Sequence, residues 1–218
     1  MKDMTSIEHL TIEAEDTAAA QRFYAEAFGL DQQIRVRAAE APTSGFRGFT
    51  VSLVVSQPSI VQGLFKTAVA AGAKELKPPK KSLWGFGAVV QAPDGTVWQL
   101  VSSSKKDTGP DVRKIDEVVL LLGVSDMAAS KKFYVDHGLT VAKSFGGKYT
   151  EFDGASSAVK LSLYPRKGLG KVAGVPTEGS GSHRLAIGAG LGDFTDPDGF
   201  AWESAESAES TASAESAS

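Results

Sequence analysis

The chain has 218 residues and not one cysteine. This excludes disulfides, thiolate-held metals and a cysteine nucleophile, and leaves any metal to histidine, carboxylates and neutral oxygens. Histidine is scarce, with 3 in all, which allows few nucleophile–base pairs, and no G-x-S-x-G elbow is present. Charge of one sign is lacking too: a net −3 gives no electrostatic reason to expect nucleic acid as a partner. No long hydrophobic run occurs. The longest, "VVLLLGV" (118–124), is far too short to span a bilayer, so no membrane partner is expected. The start, "MKDMTSIEHL", lacks the apolar stretch of a signal peptide, and a cytoplasmic location is expected. Glycine-rich phosphate loops are missing as well: "GLG" (168–170) and "GAGLG" (188–192) lack the strand–loop–helix setting.

An internal repeat is what remains, and it constrains the fold most. "IEHLTIEAEDTAAAQRFYAEAFGL" (7–30) matches "IDEVVLLLGVSDMAASKKFYVDHGL" (115–139). Each copy opens with a strand-like run and then offers a capping residue, Asp16 in one and Ser125 or Asp126 in the other. An amphipathic helix with Phe-Tyr follows, and it stops at Gly29 or Gly138. "QAPDGTVWQL" (91–100) likewise returns as "TDPDGFAWES" (195–204), with Gln99 in one copy where Glu203 stands in the other. Two domains follow, 5–103 and 115–204, joined by a polar linker over 104–114 and trailed by a disordered Ser/Ala/Glu tail over 205–218.

In the first half, 47–56 reads as a strand, and 58–76 as a helix with Pro58 in its first turn and Gly72 at its end. Residues 82–91 and 96–101 read as a hairpin about Pro93-Asp94-Gly95. The second half has two strands within 143–165. Between "SHRLAIGAG" (182–190) and its closing phrase there is no room for a second helix.

The strand–helix–"FY…GL" opening and the "PDG-x-x-W-[E/Q]" close resemble the vicinal oxygen chelate superfamily of glyoxalase I, bleomycin-resistance proteins and extradiol dioxygenases. The likeness covers about residues 5–204 and is strongest to double-domain, glyoxalase-like proteins of actinobacteria. It implies an α+β fold of paired βαβββ modules in two tandem domains, the second lacking one helix, with curled sheets forming a cleft. The resemblance also implies metal-ligand positions. In the first half these are His9, Phe49 or Thr50, and Gln99, which do not make a firm metal site. In the second they are Glu117, His183 and Glu203, a Glu-His-Glu set suited to divalent Fe, Mn, Ni or Zn.

Each position has a plainer alternative. His9 reads as a hydrogen-bonded core histidine or a ligand, Gln99 as a pocket amide or a weak ligand, and Glu117 as a salt-bridged or metal-bound carboxylate. His183 sits at a loop edge, and Glu203 is either in register after Trp202 or the first unit of the tail. Trp84 and Phe86 in "SLWGFGAVV" alternate with small residues, forming either an aromatic wall for a flat ligand or core. The lysines of "KPPKKS" (77–82) and "SSSKKDTG" (102–109) either draw an anion to the cleft mouth or are solvated. Arg35 and Arg37 face either a carboxylate ligand or water.

The resemblance implies a protein that binds a small organic molecule in the cleft without a complete metal site. Its alternative is a divalent-metal lyase, isomerase or dioxygenase using the second-half set. The domains are expected to pair within one chain or across a homodimer.

Overall fold

The computed structural model describes residues 5–110 and 112–205; apart from Ala205, the expected tail lies outside the described residues. In the first half the order is β1 Ile7–Ala14, α1 Thr17–Phe28, β2 Ile34–Ala38, β3 Ser44–Gly45, β4 Phe49–Val54, α2 Pro58–Ala70, β5 Lys74–Ser82, β6 Gly85–Gln91 and β7 Val97–Ser102. The second half runs β8 Glu117–Val124, α3 Met127–Asp136, β9 Val141–Ser144, β10 Thr150–Phe152, β11 Lys160–Pro165, α4 Arg166–Ala173, β12 Gly179–Ser180, β13 Leu185–Ala189, β14 Phe194–Thr195 and β15 Ala201–Ser204. No helix lies between β13 and β15, but the second half does not lack one as expected: α4 precedes β12 as α2 precedes β5.

Each half keeps the element order of the repeat, but neither closes its own sheet. A five-stranded sheet runs β14-β15-β13-β1-β2, and an eight-stranded sheet runs β5-β6-β7-β4-β8-β11-β10-β9. The halves therefore pair three times, through β1 antiparallel to β13, β4 antiparallel to β8 and the short ribbon of β3 with β12. The segment expected as a polar linker, 104–114, is tied down between β7 and β8. The Gln57 side chain accepts from the Thr108 and Gly109 N–H groups, both at 3.0 Å, and donates to the Gly109 and Pro110 carbonyls at 3.1 and 3.2 Å. Gln57 does not cap α2 with its own side chain. Asp107 does so from the linker, accepting the Ser59 N–H at 2.8 Å and satisfying one of the helix's first free donors.

The repeated phrases have a structural use. Asp16 caps α1 and Asp126 caps α3, while Gly29 ends α1 in the left-handed region that glycine tolerates at no steric cost. The helical tyrosines then reach the Pro-Asp-Gly turns. Tyr24 donates its hydroxyl to Asp94, and Tyr134 donates to Asp196 at 2.5 Å. Each tyrosine also packs on the tryptophan that follows its turn, with ring centroids 5.3 Å apart for Tyr24 and Trp98 and 5.5 Å for Tyr134 and Trp202. Burial beside a carboxylate pushes both phenols well above the usual tyrosine range, so they act only as neutral donors. Both clamps join the main core, formed on one face of each sheet with Leu10, Ile12, Leu120, Leu122, Trp98 and Trp202.

No helix is expected from the sequence at 166–173, where two internal glycines lower the intrinsic propensity, yet α4 forms there. Tertiary contact supplies what propensity lacks. Side chains alternate across a strand, so Leu121 faces away from the core side chains Leu120 and Leu122, as Val89 does from Ala88 and Val90. On that outer face α4 buries Leu169 against Phe46 and Leu121, and Ala173 beside Val89 and Val97. Lys77 fixes the far end, its ammonium donating to the carbonyls of Lys171 at 2.9 Å and Val172 at 2.5 Å. These are last-turn carbonyls, and a cation there suits the helix dipole. Helix α4 thus covers part of the outer face of the eight-stranded sheet.

Candidate functional site

Two sheet faces away from the main core carry the polar side chains. On the five-stranded sheet, His9, Thr11 and Glu13 alternate with the core residues Leu10 and Ile12 along β1. The register sets His9 opposite Gly188, and Gly188 beside Glu203 of β15. His9 lies flat against this glycine: a Cβ on Gly188 would collide with all three of the imidazole atoms Cε1, Nε2 and Nδ1. Glycine is therefore required here for close approach. The ring is 3% exposed and its Nδ1 has no hydrogen-bond partner. Burial, reinforced by the Arg35 charge, lowers the His9 pKa and keeps the imidazole neutral near neutral pH.

Across this face Arg37 joins two carboxylates. It donates to Glu203 at 2.7 Å through Nη1 and to Glu13 at 3.1 Å through Nε. The Arg37 pKa is raised: the two carboxylates outweigh the opposing effect of burial, which is the largest single influence on the group. Glu203 is thus in register after Trp202 and engaged, rather than being merely the tail's first residue. The sequence reading of the arginines missed this partner pair, although Glu13 and Arg37 stand opposite one another in β1 and β2.

On the eight-stranded sheet the outer face divides at α4. The part over β5, β6 and β7 stays open as a cleft of about 510 Å³. Its floor holds Gly87, Val89, Gln99 and Val101, its wall is Val172 of α4, and its rim carries Lys77, Lys80 and Lys81. Gln99 is 6% exposed and donates to the Thr50 hydroxyl at 2.8 Å, so a buried polar group is satisfied and its amide is fixed. A second cavity of about 390 Å³ lies on the other side of α4, between Phe46, Arg47, Thr96 and Val175.

The expected second-half metal set is not assembled. Glu117 belongs to the eight-stranded sheet, where Lys160 pairs with it at 2.5 Å, whereas Glu203 belongs to the five-stranded sheet. His183 is not on a strand; it sits in the 3₁₀ turn Ser182–Arg184, its Nε2 3.4 Å from the Ala41 carbonyl oxygen. The cause is strand exchange between halves, which brings His9 and Glu203 to one face and parts Glu117 from Glu203. The aromatic wall fails for a local reason. The hairpin turns at Leu83-Trp84, so Trp84 stands at the tip, 85% exposed, while Phe86 points into the core. Of the expected ligand-binding residues, only Gln99 lines the open cleft, and Arg35 neighbours His9 on the other sheet.

No protein-family model and no curated protein matches the sequence. Solved structures do match. Glyoxalase I from Zea mays superposes with a TM-score of 0.58 at 16% identity, over 90% of each chain. A putative dioxygenase from Bacillus subtilis superposes with a TM-score of 0.56 at 12% identity, over 95% of this chain and 90% of that one. This chain has the glyoxalase fold. The match spans both halves, so the paired, duplicated architecture is shared and not one module alone.

A glyoxalase-like fold implies a divalent metal between opening and closing strands, and the side chains present do not fit one. On the five-stranded sheet the carboxylates of Glu203 and Glu13 are already held by a guanidinium, and Arg35 adds a second cation beside His9. A divalent ion there would meet like charge before it met a free ligand. On the eight-stranded sheet the corresponding closing-strand group is the neutral amide of Gln99, bonded to Thr50, while Glu117 is spent on Lys160. Among the described residues no group of three or more His, Cys, Asp or Glu side chains is placed to hold a metal.

Proposed function

We propose that this glyoxalase-fold protein binds a small organic molecule in the open part of the eight-stranded cleft, and that binding requires no metal. One observation carries the reading: a cleft of about 510 Å³ with an apolar floor and a single fixed amide, Gln99, remains beside α4. That volume lies within the roughly 300–1,000 Å³ usual for small-molecule sites, and an apolar lining with few oriented polar groups is their usual chemistry. Beside it Leu169 and Ala173 of α4 pack onto the sheet, so α4 sets the length of the cleft, and Val172 forms its end wall.

The test uses the neutral fluorophore N-phenyl-1-naphthylamine, titrated with the full chain in the presence of EDTA. The expected result is saturable binding of one equivalent, unchanged by EDTA or added Mn²⁺. Val101→Phe, which places a ring over the floor, is expected to weaken it at least tenfold while the circular dichroism stays that of the parent. Saturable binding that Val101→Phe leaves intact, or no binding at all, contradicts the proposal.

A further inference from the structure

We infer that the cleft selects organic anions, specifically a compact apolar body carrying one carboxylate or sulfonate. The inference rests on the cleft being the binding site, as proposed above, and adds the class of molecule it takes. The floor is apolar apart from Gln99, so the body of the ligand must be apolar as well. The rim is cationic, and no carboxylate lines the cavity. Register aims the charge. Lys80 stands opposite Gly87 and Lys77 opposite Val89, and residues opposite one another on adjacent strands share a face. Both lysines therefore emerge on the face that carries the floor.

The two cations differ in use. Lys77 is committed to the last carbonyls of α4, where it closes the gap between β5 and the helix. Its charge is met by the partial negative charge of the helix end and by no carboxylate, so it is offset only in part at the cleft mouth. Lys80 and Lys81 form no ion pair among the described residues. A single anionic group at the mouth would meet the Lys80 ammonium while its body lay over Gly87, Val89 and Val101. A second or third charge would have to sit on the apolar floor, where an unpaired charge is costly. The strand β5 itself supports this reading. An edge strand rich in lysine guards against edge pairing, but that use needs no lysine turned toward a cavity.

The experiment compares two probes that differ only by the anion. N-phenyl-1-naphthylamine is neutral, and 1-anilinonaphthalene-8-sulfonate is the same body bearing a sulfonate. The full chain is titrated with each, as parent and as the double variant Lys80→Glu/Lys81→Glu. The expected result is a preference of about tenfold for the sulfonate at low salt, the order of magnitude for two exposed charge contacts, shrinking as salt is added. In the double variant the sulfonate loses that advantage, while the neutral probe stays within about twofold of its parent affinity. Retention of the neutral probe shows that the variant is folded and its cleft open. Equal affinity for both probes in parent and variant overturns the anion selectivity and leaves the cleft standing. Failure of both probes to bind the parent, or binding of both that ignores Val101→Phe, overturns the site and this inference with it.

Discussion

Leu169→Ala tests whether α4 is truly seated in the eight-stranded sheet. Leu169 is 0% exposed and is held between Phe46 and Leu121, one from a loop and one from a central strand. The substitution removes three buried carbons. At about 0.8 kcal/mol for each, the transfer loss alone is about 2.4 kcal/mol. The Leu121 wall is anchored by backbone pairing, β4 to β8 and β8 to β11, which limits collapse onto the void, so a cavity contribution adds to this. The total expected is about 3–4 kcal/mol, inside the range of buried leucine truncations. Val172→Ala, one turn on and 43% exposed, is the control and is expected to cost less than about 1 kcal/mol. Equilibrium urea denaturation, followed by the fluorescence of the buried Trp98 and Trp202, reads both. A Leu169→Ala loss below about 1 kcal/mol, or one equal to that of Val172→Ala, would refute the seating of α4 and with it the limits assigned to the cleft.

Gly188→Ala is expected to destabilise the protein by about 1–3 kcal/mol, because its Cβ would collide with the His9 imidazole. Combined with His9→Ala the cost should be clearly less than additive, and strict additivity in a double-mutant cycle would show that the ring does not lie on Gly188. Tyr134→Phe removes the donor that favours the charged form of Asp196, whose pKa burial raises above the ordinary 3.8. Folded Asp196 therefore binds its proton more tightly than unfolded Asp196, so stability declines as pH rises from the ordinary value to the raised one. Losing the phenol raises that pKa further, so the variant's deficit should be about 1–2 kcal/mol at pH 7 and shrink below pH 4. A deficit that is constant with pH contradicts this. Arg37→Gln frees two carboxylates beside His9. A loss of about 1–2 kcal/mol is expected, discounted because the Arg37 side chain is 40% exposed. Millimolar Mn²⁺ should restore melting temperature in the variant and leave the parent unmoved; a parent equally responsive to Mn²⁺ speaks against Arg37 occupying the metal's place.

The duplicated skeleton was legible because its signals are local and periodic. The caps at Asp16 and Asp126, the glycine stop at Gly29 and the Phe-Tyr and Pro-Asp-Gly phrases all lie where the sequence set them. What escaped depends on contacts between distant residues. Nothing near Glu117 or Glu203 says which sheet each will join; strand pairing across the halves decides it, and it separates the expected ligands. Helix α4 has glycines at 168 and 170 and stands only because the sheet offers Leu169 and Ala173 a place. Trp84 was lost by a single residue: the strand begins at Gly85 rather than earlier, which turns an expected wall into a hairpin tip. The lysines of 77–82 could be noticed but not aimed, since their facing follows from the bulged register of β5 against β6. Arg37 and Glu13 were the recoverable pair, because opposite charges at alternating positions of two neighbouring strands can be read from the sequence alone.

The most direct test of the account is a crystal structure of the full chain soaked with 1-anilinonaphthalene-8-sulfonate in the presence of EDTA. The account predicts the naphthalene over Gly87, Val89 and Val101, against Val172, with the sulfonate at Lys80. Density for the probe over His9 and Arg37 on the five-stranded sheet instead would contradict it, because the working face would then be the one whose charges the account treats as already paired.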